Sequence, residues 1–199
     1  YAEITDAFMA YLERHCKGYV CYFGTTKPNI TSQKYLESKG FICIEDTIQT
    51  RIEPSDLKPI QGSFMVQTLS EQDYDLYRKF HQEHFIDYTW TADKIYSVMD
   101  KWLVYIVKHG DEIVGNIFAM RQTNTSVEVY GAKVLSQYEG TEMLSQLYYE
   151  SAKAWFERGV KEIVNFIPEG YMLDAAKRVG FVAYDTYMCY YMKELFCIF

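Results

Sequence analysis

The stretch Tyr171-Met-Leu-Asp-Ala-Ala-Lys-Arg-Val-Gly-Phe181 has an echo far upstream, Asn29-Ile-Thr-Ser-Gln-Lys-Tyr-Leu-Glu-Ser-Lys-Gly-Phe41. Each is a helix-compatible run closed by Gly-Phe. The glycine supplies the left-handed turn that ends a helix, and the phenylalanine begins a buried strand. Working outward, each run is preceded by a strand and by another helix. Upstream, Phe8, Leu12 and Cys16 lie at helical spacing, the helix ends at Gly18, and Tyr19-Val-Cys-Tyr-Phe23 follows. Downstream, Leu144, Tyr148, Ala152 and Trp155 make the apolar stripe, Gly159 ends it, and Glu162-Ile-Val-Asn-Phe166 follows. The pairs Asp46-Thr47 and Asp185-Thr186 come next in register. Three landmarks in one order, drifting by a residue each time, indicate an internal repeat of helix, strand, helix and hairpin.

Residues 1–53 then form an incomplete half-repeat. Glu53-Pro-Ser-Asp-Leu-Lys-Pro-Ile-Gln61, with two prolines and little periodicity, reads as a linker over 54–61. A full domain over 62–195 and a short tail, 196–199, complete the chain. The domain opens on the strand Ser63–Leu69. Ser70-Glu-Gln-Asp73 resembles a capping box for a helix carrying Tyr74, Leu76, Tyr77 and Phe80, within Glu71–Phe85. Thr91–Lys101 predicts a second helix. Trp102–Val107 and Glu112–Phe118 form a hairpin turning at His109-Gly-Asp111, and Ser126–Val134 is a further strand. The fold class is α/β in the broad sense (α+β), with a mixed, mostly antiparallel sheet flanked by helices.

Composition bounds the function. Of 199 residues, 49% are hydrophobic and 24% charged, an ordinary globular profile. No apolar run approaches the ~18 residues of a membrane span, and no leader segment is evident. A net charge of −7 argues against nucleic acid, which requires a basic face. Cys16, Cys21, Cys43, Cys189 and Cys197 are scattered without a C-x-x-C pair, which predicts reduced thiols in the cytoplasm and no zinc site. His81 and His84, at i,i+3 on one helix, lack a third ligand and are expected to be surface histidines; no metal is expected.

The order strand, two helices, three antiparallel strands, helix, strand, helix, hairpin, with Asp111-Glu-Ile-Val-Gly115 opening the third strand and Gly180-Phe181 at the right distance, resembles the GNAT (GCN5-related) N-acetyltransferases. The resemblance covers about residues 62–195, and residues 1–53 resemble the back half of a second copy, as in tandem members. It implies acetyl-CoA as acyl donor and a primary amine, on a small molecule or peptide, as acceptor. It leaves a homodimer open.

In that family the loop after the fourth strand presents backbone amides at a helix N-terminus to the pyrophosphate of coenzyme A. The matching positions are Val134, Glu139, Gly140, Thr141, Glu142, Met143 and Leu144, and only Gly140 keeps the family's glycine character. A carboxylate ~5 Å from a phosphate charge costs ~3 kcal/mol at an effective dielectric of ~20. A helix N-terminus returns about 0.3–2 kcal/mol to an anion. Glu139 and Glu142 therefore decide the loop's use by where they point.

The resemblance also assigns Glu128, on the fourth strand, as general base. The family's usual acid, a tyrosine four residues before the glycine of Gly-Phe, is replaced by Ala176; Tyr171 and Tyr187 are the nearby substitutes. Asp87, Tyr88, Trp90 and Tyr130 are candidates to hold the acceptor amine by charge and cation–π contact. Two functions remain: an N-acetyltransferase, or a catalytically degenerate GNAT-fold binding or assembly module.

Overall fold

The computed structural model describes residues 2–86 and 88–195; Asp87 and the tail 196–199 fall outside it, as do the side chains of residues 2 and 185–187. The chain forms two compact units. One runs up to Thr47 and resumes at Thr186, and the other spans Ile48–Asp185.

In the larger unit the strand order is β2-β7-β6-β5-β4-β3. Here β3 is Val66–Thr68, β4 Trp102–His109, β5 Glu112–Arg121, β6 Ser126–Val134 and β7 Glu162–Ile167. Strand β2, Ile42–Ile52, contributes its second half. All neighbours pair antiparallel except β6 and β7, which are parallel. Helices α3 (Tyr74–His84) and α4 (Ala92–Ser97) cover one face. There Tyr77, Phe80, Phe85 and Ile95 pack with Trp102, Val104, Ile106 and Phe118. On the other face lies α5 (Met143–Glu157), with α6 (Tyr171–Val179) beside it; Ser145 Oγ donates to the Ala175 carbonyl at 3.3 Å.

Glycines set two close approaches. A Cβ on Gly115 would stand 2.8 Å from Met143 Sδ, so the Ile-Val-Gly of β5 lets the first turn of α5 sit on the sheet. A Cβ on Gly180, which has φ +114°, would stand 2.0 Å from the Asp56 carbonyl oxygen. The stretch read as a linker is thus pinned to the end of α6, and Lys58 N–H also donates to Val179 at 2.8 Å. Residues 48–61 belong to the larger unit, so the compact units do not divide where the linker was expected.

The smaller unit holds α1 (Ala2–His15), β1 (Val20–Thr26), α2 (Ile30–Ser38), the first half of β2 and the second half of β8 (Val182–Glu194). Met9, Leu36, Phe41, Cys189 and Tyr191 form its core. Of the α1 residues expected to face inward, Phe8 is exposed and Met9 takes its place. Gly18 and Gly159 have φ +81° and +82°, so these landmarks share a conformation as well as a position.

Three expectations are corrected. Neither Gly-Phe is followed by a hairpin: β2 and β8 are single long strands, and Asp46-Thr47 and Asp185-Thr186 lie within them. The reason is pairing, because β7 takes β2 as its neighbour and β1 takes β8. The chain passes between the units after Thr47 and before Thr186. Ser70–Asp73 is not a capping box; Ser70 Oγ and Lys108 Nζ both donate to the buried Asp73 carboxylate at 2.7 Å, tying the start of α3 to β4. His81 is not on the surface, being 2% exposed. Its Nε2 lies 2.9 Å from the Trp90 carbonyl and its Nδ1 3.2 Å from the Tyr77 hydroxyl. A neutral ring protonated on Nε2 satisfies both, donating to Trp90 and accepting from Tyr77.

Two stability outcomes follow from these contacts. Gly159→Ala meets nothing within 4 Å and carries only its positive φ, about 1 kcal/mol. Gly180→Ala adds a backbone collision and should lower the urea midpoint further; equal losses would refute the Asp56 contact. Burial holds the His81 imidazole below its ordinary range. As pH falls the unfolded chain takes up that proton first, so stability is complete above about 6.5 and declines below it towards the lower folded value. Asp73, held low chiefly by Lys108, loses its contribution only at more acid pH. Urea titrations between pH 7.5 and 5.5 should show the midpoint falling, with the slope flattened in His81→Gln.

Candidate functional site

The parallel ladder between β6 and β7 runs from Ser126↔Glu162 to Val129↔Asn165 and ends there. Beyond it, β7 continues along β2 as far as Ile48↔Ile167, while β6 continues along β5 as far as Gly115↔Val134. The two strands therefore part, and residues 130–134 of β6 keep a neighbour on one side only, among the described residues. At the same point β6 carries a bulge: Ala119 pairs with Val129 and Phe118 with Gly131, leaving Tyr130 as the extra residue. A bulge re-aims a side chain and frees main-chain groups. Gly131 is required beside it, since a Cβ there would stand 2.5 Å from the Phe118 ring.

Glu128 sits just before the fork, half-buried. Burial pushes its carboxyl up, and a hydrogen bond from the Tyr130 hydroxyl partly offsets this. Gln122 Nε2 donates to the same hydroxyl at 2.8 Å, fixing Tyr130 as donor to Glu128. Burial and the Glu128 charge push the Tyr130 phenol up in turn. The Tyr130 ring lies 5.2 Å from Trp102 and 6.4 Å from Trp90. Glu128, Tyr130 and Trp90 are thus gathered on one face, the face covered by α3 and α4. Tyr88 packs edge-on to Phe85 at 5.2 Å. Asp87 lies outside the described residues.

The loop after β6 follows the strand's unpaired end and leads into α5. Residues Ser136–Tyr138 make a short 3-10 turn, Gly140 has φ +77°, and α5 begins at Met143. Thr141 braces the turn, its hydroxyl donating to the Tyr138 carbonyl at 2.6 Å and accepting from Met143 N–H at 3.3 Å. Gln146 N–H bonds to the Glu142 carbonyl. The amides of Gly140, Glu142, Leu144 and Ser145 have no protein acceptor among the described residues, an arrangement suited to an anion. The side chains of Val134, Met143 and Leu144 are core, at 0%, 0% and 2% exposure, so these positions offer a ligand main chain only.

The two glutamates part company. Glu142 is exposed. Glu139 turns back onto β6, where Lys133 Nζ meets its carboxylate at 3.3 Å. Tyr171, first residue of α6 after β7, also donates to Glu139. Burial first, then the Glu139 charge, pushes the Tyr171 phenol up to about 12. Tyr171 is therefore brought to the loop and not to Glu128. The side chain of Tyr187 lies outside the described residues, and Ala176 is fully buried.

Sequence reasoning missed Lys133, Tyr148 and Asn165. Asn165 is 3% exposed at the fork and donates to the Tyr148 hydroxyl at 3.2 Å. Burial pushes the Tyr148 phenol far up, with smaller contributions from the neighbouring Tyr171 and Tyr88 hydroxyls. A polar residue inside the apolar run Glu162–Phe166 was the available signal.

No protein-family model matches the sequence, and no curated protein matches it. Solved structures do. A GCN5-related N-acetyltransferase from Sphaerobacter thermophilus superposes with a TM-score of 0.70 at 14% identity, over 91% of this chain and 61% of that one. This chain thus spans less than two thirds of that protein's length. A tandem GNAT protein from the clavulanic acid biosynthesis pathway gives 0.57 at 10% identity, over 88% and 64% of the two chains. AAC(6')-Iy, in complex with the bisubstrate analogue CoA-S-monomethyl-acetylneamine, gives 0.51 at 12% identity, over 61% and 92%. Identities this low speak to architecture alone: a mixed, mostly antiparallel sheet flanked by helices. This chain has the fold of the GCN5-related N-acetyltransferases, the GNAT superfamily.

Proposed function

We propose that this chain is a GNAT-type N-acetyltransferase that moves an acetyl group from acetyl-CoA to a primary amine of a small molecule or peptide. The observation that carries the reading is the fork: a half-buried carboxylate with a raised pKa stands at its apex, and unpartnered amides at the start of α5 stand by its mouth. The structural neighbour solved with a CoA-containing bisubstrate analogue supports the same donor. The pyrophosphate would meet the amides of residues 140–145, and alternate main-chain groups of residues 130–133 would polarise the thioester carbonyl.

The chemistry balances without a further reactant. Glu128 takes a proton from the acceptor ammonium, and the free amine attacks the thioester carbon. The new C–N bond forms as the C–S bond breaks; the nitrogen gives up its second proton, through solvent, to the departing coenzyme A thiolate, and Glu128 returns its own proton to water. A carboxyl pushed up by burial suits the base role, because its conjugate acid lies closer to working pH. Tyr171, held protonated and engaged with Glu139, is the weaker candidate for the acid. Asp87, Tyr88, Trp90 and Tyr130 would line the acceptor side.

The two segments sharing helix, strand, helix and Gly-Phe are read as tandem copies, the first incomplete. Cys16, Cys21, Cys43 and Cys189 are free thiols, which suits a cytoplasmic setting. Among the described residues no helix is long and apolar enough to cross a membrane. One observation favours a second reading, a binding or assembly module: the position of the family's usual acid is the buried Ala176.

Calorimetric titration with acetyl-CoA separates the two, since the enzyme binds saturably and a module with a closed fork does not. Because Glu142 is exposed, Glu142→Lys should tighten binding by roughly fivefold at low salt, within the ~1 kcal/mol of a surface charge. The gain should disappear near 1 M salt, where screening reaches ~3 Å. Glu128→Gln should lower kcat by about 100-fold and abolish the acid limb of the pH–rate profile, with acetyl-CoA affinity unchanged. An intact acid limb would remove Glu128 from the mechanism.

A further inference from the structure

One row of directly paired residues crosses the sheet on the face that carries Glu128. Arg51 of β2 pairs with Val164 of β7, Val164 with Glu128 of β6, Glu128 with Met120 of β5, and Met120 with Trp102 of β4. Residues paired across strands point to the same side of a sheet. Trp102 and Met120 lie under α3 and α4, in the cluster that also takes Trp90 and Tyr130. Glu128, Val164 and Arg51 lie only partly covered, forming a shelf that leads outward from that aromatic wall. Two strand spacings separate Glu128 from Arg51, roughly 10 Å.

The Arg51 guanidinium is held but not satisfied. One nitrogen, Nη1, meets Glu162 at a long 3.4 Å, and the plane lies over the Tyr184 ring at 5.1 Å. Its Nε is buried with no hydrogen-bond partner. The ion pair is open to water, both side chains being about two-fifths exposed. The buried Nε is out of a ligand's reach, but the two-fifths-exposed side chain makes only this one long polar contact among the described residues and keeps donors for a planar, two-oxygen anion. Val164 stands between Arg51 and Glu128 in the row, so the two charges do not pair directly across the shelf.

We propose that Arg51 is a specificity residue that receives the carboxylate of the acceptor, and that the acceptor is a small amino carboxylate whose amine is presented to Glu128. The assignment rests on the acetyltransferase reading. It also gives the first half of the chain a part in the second: the strand that closes the sheet beside β7 carries the residue that selects the substrate.

The test compares glycine, 3-aminopropanoate and 4-aminobutanoate with methylamine, ethylamine and propylamine, each pair differing by one carboxylate. Thiol release from acetyl-CoA is followed on the full chain, and acetyl-CoA affinity is measured separately by calorimetry. The wild type should prefer at least one amino carboxylate over its amine by about 10- to 100-fold in kcat/KM, mostly through KM. Arg51→Gln should erase that preference, with the simple amine's turnover and acetyl-CoA affinity unchanged. Arg51→Lys, which keeps the charge but not the fork, should retain part of it. Glu162→Gln, which releases Arg51 and does not depend on Arg51→Gln folding, should enlarge it.

A preference absent in the wild type, or surviving Arg51→Gln, overturns the proposal. If acetyl-CoA binds but no amine is acetylated, 4-aminobutanoate and propylamine are titrated into the CoA-saturated protein and followed by NMR. Binding of the carboxylate compound that needs Arg51 then upholds the inference while the transferase reading falls. Absence of binding overturns the inference.

Discussion

The parallel ladder between β6 and β7 cannot continue past Val129 and Asn165, and the candidate site is arranged around that stop. On one side β6 is held by β5 up to Val134. On the other β7 is held by β2 up to Ile167. Each strand keeps its outer partner and yields its inner one. Asn165, at the branch, is kept dry and satisfied by the Tyr148 hydroxyl, and its carbonyl takes the Thr50 hydroxyl at 3.3 Å. A buried amide left without partners would cost on the order of 1–3 kcal/mol, so this pair of bonds is what lets a sheet open at its centre without loss. The bulge at Tyr130 then turns freed main chain and the Glu128–Tyr130 pair towards the opening.

The loop at the mouth shows how charge placement overrides motif quality. A glutamate at each end of a turn proposed to receive a phosphate looks disqualifying, because one inward carboxylate near a phosphate outweighs what a helix N-terminus offers. Yet Glu142 faces water, and Glu139 is drawn off by Lys133 and Tyr171. The amides stay unpartnered. Tyr171 follows β7 and Glu139 follows β6, so their hydrogen bond ties together the elements beyond the two parted strands. The same carboxylate that spoils the motif in the sequence braces the fork in the structure.

Elements whose cause is local were legible. Ser126–Val134 is a strand with the bounds its alternation predicts, Gly180 ends a helix in the left-handed conformation, and the hairpin turns at Gly110. Ile-Val-Gly earned its weight too, since Gly115 is what admits Met143. Elements whose cause is non-local were not legible. The hairpins became single strands because the partner of each comes from the other end of the chain. Ser70 and Asp73 have the spacing of a cap, but Lys108, distant in sequence, claims the carboxylate. His81 reads as polar, yet Tyr77 and the Trp90 carbonyl give its ring two partners inside the core. Leu144, one of the loop positions without the family's glycine character, points into the core where α5 is seated against Gly115.

Arg51 was hidden for the same reason. It lies in the segment read as a separate half-repeat, where nothing marks it as part of a site. Only the register Arg51↔Val164↔Glu128 sets it on the shelf. Strand β2 satisfies β7 with main-chain bonds that any sequence of suitable β-propensity would make. A guanidinium near its end is not needed for that pairing, and its long contact with Glu162 adds little to stability in so exposed a place. If Arg51 receives the acceptor's carboxylate as proposed, the span from it across Val164 to the half-buried Glu128 is the one a small amino carboxylate would bridge.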